Sequence, residues 1–148
     1  MKLSISYKVH EHGWAMVYFS DGEKTIDSRV SYLHDSLGEL AEMAISIKAG
    51  HSESKVFFMD EPGELIFIVL LNNEEANYEV RWFNDWSNWG MNSEYKVLLK
   101  GTATPKRIVQ QITTVLWDIH QNIGPDKYKE LWCEHDFPIQ QYKKLANA

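Results

Sequence analysis

KVFFMDEPGELIFIVLLNNEEANYEVRWF, residues 55–83, contains the strand on which the architecture turns. Residues 65–71 are apolar at every position, the pattern of a central strand covered on both faces. Ahead of that run stands Glu61-Pro62-Gly63-Glu64. Proline sets φ at the second position and glycine enters the left-handed region at the third, which suits a type II turn. Behind the run, residues 72–77 turn and residues 78–83 pair back, with Tyr78, Val80 and Trp82 on the core face. The connections are too short for parallel crossovers, so the three strands pair antiparallel.

The same periods recur outward from this segment. In residues 2–9, Leu3, Ile5, Tyr7 and Val9 alternate with Lys2, Ser4, Ser6 and Lys8, as in a strand buried on one face. Residues 14–19 form an apolar run ending at Asp21-Gly22, a hairpin dipeptide, and residues 24–32 alternate again. Ser36-Leu37-Gly38-Glu39 has capping-box spacing, Leu37, Leu40, Ala41, Ala44 and Ile45 follow at helical intervals, and Gly50 can close the end. Residues 94–100 add a strand with Tyr95, Val97 and Leu99 facing in. Thr104-Pro105 starts a long helix with the stripe Ile108, Ile112, Val115, Leu116 and Ile119, which stops at Gly124-Pro125. Asp126 caps a short helix carrying Tyr128, Leu131 and Trp132, and Pro138 opens a last amphipathic segment with Ile139, Tyr142 and Leu145. The order βββ-α-ββββ-αα predicts an α+β fold with an antiparallel sheet of about seven strands and helices packed on it.

A chain of 148 residues suits a single domain, 1–148. At that size roughly two thirds of the unfolded surface is buried, enough for one core without staples. Residues 1–13 alternate where a secretory leader would be apolar, and no apolar run approaches the roughly 20 residues that span a bilayer. A cytoplasmic protein without membrane contact is therefore expected. The single Cys133 forms no internal disulfide and builds no cysteine zinc cluster.

Charge is unevenly spread. Residues 1–52 hold 5 Lys+Arg and 7 Asp+Glu, residues 53–94 hold 2 and 9, and residues 95–148 hold 8 and 5, so the net −6 arises in the middle third. Such a field repels phosphate backbones and attracts cations, which argues against nucleic acid and for a basic protein partner.

Within that third, WFNDWSNWG (residues 82–90) sets three tryptophans and a phenylalanine among turn formers. Trp86 and Trp89 lie where no strand or helix period holds. They are read either as rings folded over a sheet edge or as exposed anchors beside carboxylates, the residue type enriched at interface hot spots. Asp60, Glu61 and Glu64 flank one turn and Glu74 and Glu75 another. The two turns sit at opposite ends of a shared strand, so no acid/base pair converges, and solvated turns or steering charges are the readings left. His10 and His12 at i, i+2 lack a third metal ligand. Cys133 and His135 at i, i+2 on a helix diverge by about 200° and do not make a nucleophile pair. No glycine-rich phosphate loop, G-x-G-x-x-G, G-x-S-x-G or HExxH occurs. Lys106 and Arg107 open the long helix against its macrodipole, which hints at an outside role.

The meander, the first helix, the hairpin around DEPGE (residues 60–64), the strand end at Trp82 and Phe83, the Tyr-Lys-Glu-x-Trp of residues 128–132 and Phe137-Pro138 together resemble small bacterial proteins of unassigned function. In size and acidity the chain is similar to immunity proteins of contact-dependent and other polymorphic toxin systems. That likeness implies a protein partner, and it brings no site motif to carry over.

The resulting expectation is a protein-binding protein free of cofactor and metal. It would neutralise a basic toxin such as a nuclease, with Trp86 and Trp89 as anchors and Asp60, Glu61, Glu64 and Asp85 as steering charges. Two rivals stand beside it. One is a small-molecule binding domain or enzyme with an aromatic-lined pocket holding Trp14, Tyr18 and Trp117. The other is a homodimer or larger homo-oligomer that uses the tryptophan-rich loop on itself.

Overall fold

The computed structural model describes residues 3–10, 13–60, 63–84, 94–132 and 135–146. Along the chain run β1 (Ser4–Val9), β2 (Trp14–Ser20), β3 (Thr25–Ser31), α1 (Ser36–Lys48), β4 (Glu53–Met59), β5 (Glu64–Asn72), β6 (Glu75–Phe83), β7 (Lys96–Ala103), α2 (Pro105–Asn122), α3 (Pro125–Trp132) and α4 (Ile139–Ala146). The fold is α+β with seven antiparallel strands, as the periodicities require. The strands divide into two sheets, β1-β2-β3 and β4-β5-β6-β7, and the amphipathic segment after Pro138 is a helix in its own right.

Turn chemistry shapes the hairpins. At β2–β3, Gly22 takes φ 96° while the Asp21 carboxylate accepts hydrogen bonds from the backbone N–H groups of Glu23 and Lys24 at 2.9 and 2.8 Å. Those bonds hold the Asp21 carboxyl below its ordinary range. The β5–β6 connection is tighter than expected. Asn72 already pairs with Glu75, which leaves Asn73 and Glu74 as a two-residue turn with Asn73 at φ 59°. Asparagine tolerates that left-handed conformation, so the strands extend further than their apolar pattern.

The first helix starts differently from its capping-box reading. Asp35 is the N-cap, accepting from the Gly38 N–H at 3.1 Å, and Ser36 and Glu39 are turned toward β4 instead. Ser36 Oγ donates to the Phe57 carbonyl at 2.7 Å and Glu39 Oε1 accepts the Phe57 N–H. A buried strand backbone that needs partners wins over a local cap that Asp35 can supply.

Glu39 Oε2 also meets His34 Nε2 at 2.9 Å. That hydrogen bond, with the charges of Glu39, Asp35 and Glu64, raises the His34 pKa against an opposing effect of burial. A raised folded-state pKa gives stabilisation that is complete below the unfolded value near 6.5 and is lost as pH rises through the folded value. Urea unfolding midpoints should therefore fall as pH rises above about 6.5 in the native chain, and Glu39→Gln, which keeps an acceptor for Phe57, should flatten that fall. An unchanged profile in the variant would refute the assignment.

One core joins both sheets and the helices. Phe19 of β2 meets Phe58 of β4 edge-on and Phe67 of β5 at a tilt, with ring centroids 5.9 and 4.9 Å apart. Leu37, Leu40 and Ala44 of α1 and Ile108, Ile112 and Leu116 of α2 are buried in the same cluster. α1 packs on α2, β4 and α4, while α2 also packs on β1. Ile66 and Ile68, on the opposite face of β5, are nearly buried as well. Their register neighbours are Phe57 and Arg81, and Lys55 and Glu79, whose long side chains flank that face.

Alternation fails in β7. Val80 pairs with Leu99, but Arg81 pairs with Val97, so a bulge takes in one extra residue there. The bulge reverses the parity of the strand. Leu99 faces the core as expected, whereas Val97 and Tyr95 are exposed.

Candidate functional site

Topology gathers one end of the four-stranded sheet from four separate places in the chain. β4 ends at Met59 and β5 begins at Glu64, which are register partners; Glu64 also pairs with Phe83 at the end of β6, and Trp82 pairs with Lys96 at the start of β7. Asp60, Glu64 and Glu94 therefore belong to this end, and the chain leaves and re-enters the described structure there at residues 84 and 94. Trp86, Trp89, Asp85 and Glu61 lie outside the described residues.

Asp60 is not a free carboxylate. It forms an ion pair with Arg29 of β3 at 3.2 Å, and the same guanidinium lies over the Trp14 ring at 5.3 Å, so the pair ties the two sheets together. Glu64 departs from the solvated-turn expectation, because it is fully buried. It shares the face of β5 that carries Ile66 and Ile68, opposite the core, and is covered there, so it offers no surface for direct contact.

The DEPGE turn is closed by Asp60 N–H donating to the Gly63 carbonyl at 2.8 Å. Gly63 does not use the left-handed region that a type II turn demands. Its need for glycine is steric. A Cβ there would stand 2.4 Å from the Trp82 ring and 2.7 Å from the Phe83 carbonyl oxygen. Trp82 is half-buried against the core, as its strand face predicts, and its Nε1 donates to Asn84 Oδ1 at 3.1 Å.

Beside this turn is an aromatic ledge made by the β7 bulge. Tyr95, 46% exposed, lies 5.3 Å from Phe83, and the Arg81 guanidinium sits 4.5 Å from its ring. Arg81 in turn pairs with Glu79 at 2.9 Å. Stacked and paired, this cation is largely neutralised locally and leaves the acidic character of the region intact.

The aromatic pocket of the rival reading does not assemble. Trp14 and Tyr18 occupy the outer face of the first sheet, near Arg29 and Lys8 respectively, while Trp117 stands on α2. What the sequence reading missed is the surroundings of Trp117. A trough of about 950 Å³ runs along α2, bounded by Ile47 and Lys48 of α1 and by Tyr142 and Leu145 of α4. Lys106, Gln110, Thr114 and Trp117 line it at helical spacing, a stripe that could have been read from the outer face of the helix. Arg107 has a structural duty beside it, since its Nε donates to the Leu3 carbonyl at 3.0 Å.

Cys133 and His12 lie outside the described residues. His135 Nε2 sits 2.8 Å from the Tyr32 carbonyl, a link between the α3–α4 connection and the end of β3. Among the described residues, no three His, Cys, Asp or Glu side chains come together to hold a metal ion, and no helix is long and apolar enough to cross a membrane.

No family model and no curated protein matches the chain. Among solved structures, it is similar to a chain of the CdiA-CT/CdiI toxin and immunity complex from Enterobacter cloacae, with a TM-score of 0.46 and 6% sequence identity over 75% of this chain and 97% of that one. A superposition at that level carries no functional argument.

Proposed function

We propose that the chain binds a cationic protein partner through the acidic, aromatic end of its four-stranded sheet, and that this partner is a toxin domain, such as a nuclease, which binding holds inactive. The observation that carries the reading is the union of two facts: residues 53–94 hold nine carboxylates against two cations, five of them (Asp60, Glu61, Glu64, Asp85 and Glu94) in sequence at or between these strand ends, and the ends of β4, β5 and β6 meet the start of β7 beside Tyr95 and Phe83. A focused negative field speeds encounter with a basic surface, and large rings supply the desolvated contact that slows dissociation. Trp86 and Trp89 are the proposed anchors. Glu61 and Asp85 are the steering charges, with Asp60 and Glu64 contributing to the field from their paired and buried positions.

Co-purification at native expression level is expected to yield a basic companion. With that companion in hand, Glu61→Lys combined with Asp85→Lys should slow association about tenfold at low salt and flatten its salt dependence. Trp86→Ala and Trp89→Ala should instead speed dissociation by about tenfold or more. Rates untouched by all four substitutions, or a companion without excess positive charge, would remove the proposal.

A further inference from the structure

The trough along α2 has a chemistry opposite to that of the chain as a whole. The protein carries net charge −6, yet the lining includes Lys48, Lys106 and Arg107 and no carboxylate. Its floor is apolar, formed by Ile47, Val109, Tyr142 and Leu145. At one end stands Trp117, 52% exposed, the most exposed of the described residues' large apolar side chains. An exposed indole beside an apolar floor leaves surface that water covers poorly.

Three features together select the occupant. The trough is open along its length, whereas sites for small molecules enclose most of their ligand. The lining from Lys106 to Trp117 follows one helix for about 16 Å at 1.5 Å per residue, a span of three helical turns. Cations stand at the end where α1 stops and α2 begins, and the indole stands further along α2. We infer that this trough is a second docking site, which receives an acidic amphipathic helical segment of another protein. The segment's apolar face lies on Ile47, Val109 and Leu145, its leading side chain packs on Trp117, and its carboxylates meet Lys48 and Lys106. Arg107 stays bound to the Leu3 carbonyl and adds charge without moving.

The site is separate from the acidic sheet end. Pro105 follows Ala103, the last residue of β7, whereas Lys96, the first, pairs with Trp82. Likewise Lys48 precedes the start of β4, while Asp60 follows its end. The cationic end of the trough therefore lies by the sheet end opposite Asp60, and its lining comes from α1, α2 and α4 rather than from the sheet.

A fluorescein-labelled peptide of about sixteen residues, long enough for four helical turns, tests this. Glutamate forms one face and leucine repeats at i, i+3, i+4 and i+7 on the other; a control has lysine in place of every glutamate. Fluorescence anisotropy with the full chain should give micromolar binding of the acidic peptide and at least about tenfold weaker binding of the control. Lys48→Glu with Lys106→Glu should weaken the acidic peptide about tenfold or more, and Trp117→Ala should do the same. These side chains are exposed, so circular dichroism should confirm unchanged folding. Glu61→Lys with Asp85→Lys, the substitutions that test the toxin-binding proposal, should leave peptide affinity unchanged, which keeps a failure here distinct from failure of that proposal. Equal binding of both peptides, no binding below millimolar concentration, or variants that bind like the parent would overturn the inference. So would concentration-dependent self-association that the two lysine substitutions abolish, since the occupant would then be a second copy of this chain.

Discussion

Trp132→Ala is expected to lower the free energy of unfolding by about 3–5 kcal/mol, the range for deleting a fully buried large ring. Trp132 is completely buried at the end of α3, stacked on Tyr128 at 6.2 Å and met edge-on by Tyr7 of β1 at 6.5 Å. Its ring is a contact through which α3 holds the first strand, and a short helix such as α3 has little stability of its own to compensate. For a chain of this length the loss corresponds to a melting temperature lower by roughly 6–20 °C. Burial, reinforced by the negative charge of Asp35, pushes both tyrosine hydroxyls well above their ordinary pKa. The buried indole N–H has no acceptor among the described residues. Trp132→Phe removes that unpaired donor while keeping most of the ring, so it should cost less than about 1.5 kcal/mol. Urea denaturation followed by circular dichroism checks both. An alanine variant within about 1 kcal/mol of the parent, or a phenylalanine variant as unstable as alanine, would contradict this account of the cluster.

Phe67→Ala should be comparably damaging, again about 3–5 kcal/mol. Phe67 lies at the middle of the most enclosed strand, in register with Val56 on one side and Val80 on the other, and its ring is 4.9 Å from Phe19 of the opposing sheet. Among the described residues no hydrogen-bonded ladder connects the sheets, so side-chain contacts such as this aromatic pair and the Arg29–Asp60 ion pair join them. Arg29 is largely exposed, and an exposed ion pair contributes little, typically below about 1 kcal/mol. The rings should dominate. A double-mutant cycle between Phe19→Ala and Phe67→Ala should show a coupling of about 0.5–1.5 kcal/mol. Strict additivity would mean that the sheets are held together elsewhere.

The candidate sites were legible to different degrees. The acidic imbalance of residues 53–94 is a property of composition, and hairpin topology brings its strand ends together as antiparallel pairing requires. Glu64 could not be placed in this way. Its neighbours Pro62 and Gly63 mark a turn, and turns are ordinarily wet, yet the adjoining strand is enclosed on both faces and its first residue is covered on the face away from the core. Gly63 shows the same limit. The sequence suggests glycine for its backbone freedom, whereas the Trp82 ring, nineteen positions later in the chain, is what excludes a Cβ. The trough around Trp117 depends on α1 and α4 approaching α2, and nothing in the α2 sequence names its neighbours.

What the sequence determined by itself was local: seven strands, the spans of α1 and α2, the hairpin at Asp21-Gly22 and the stop at Gly124. Each depends on side-chain period, backbone conformation or a missing Cβ within a few residues. Only the tertiary structure decided that the strands form two sheets, that Glu39 serves Phe57 rather than its own helix, and that a bulge between Val80 and Arg81 turns Val97 outward. Those outcomes depend on which distant groups compete for the same hydrogen bond or the same buried space. Periodicity specifies which face of an element is apolar, and packing alone decides what that face meets.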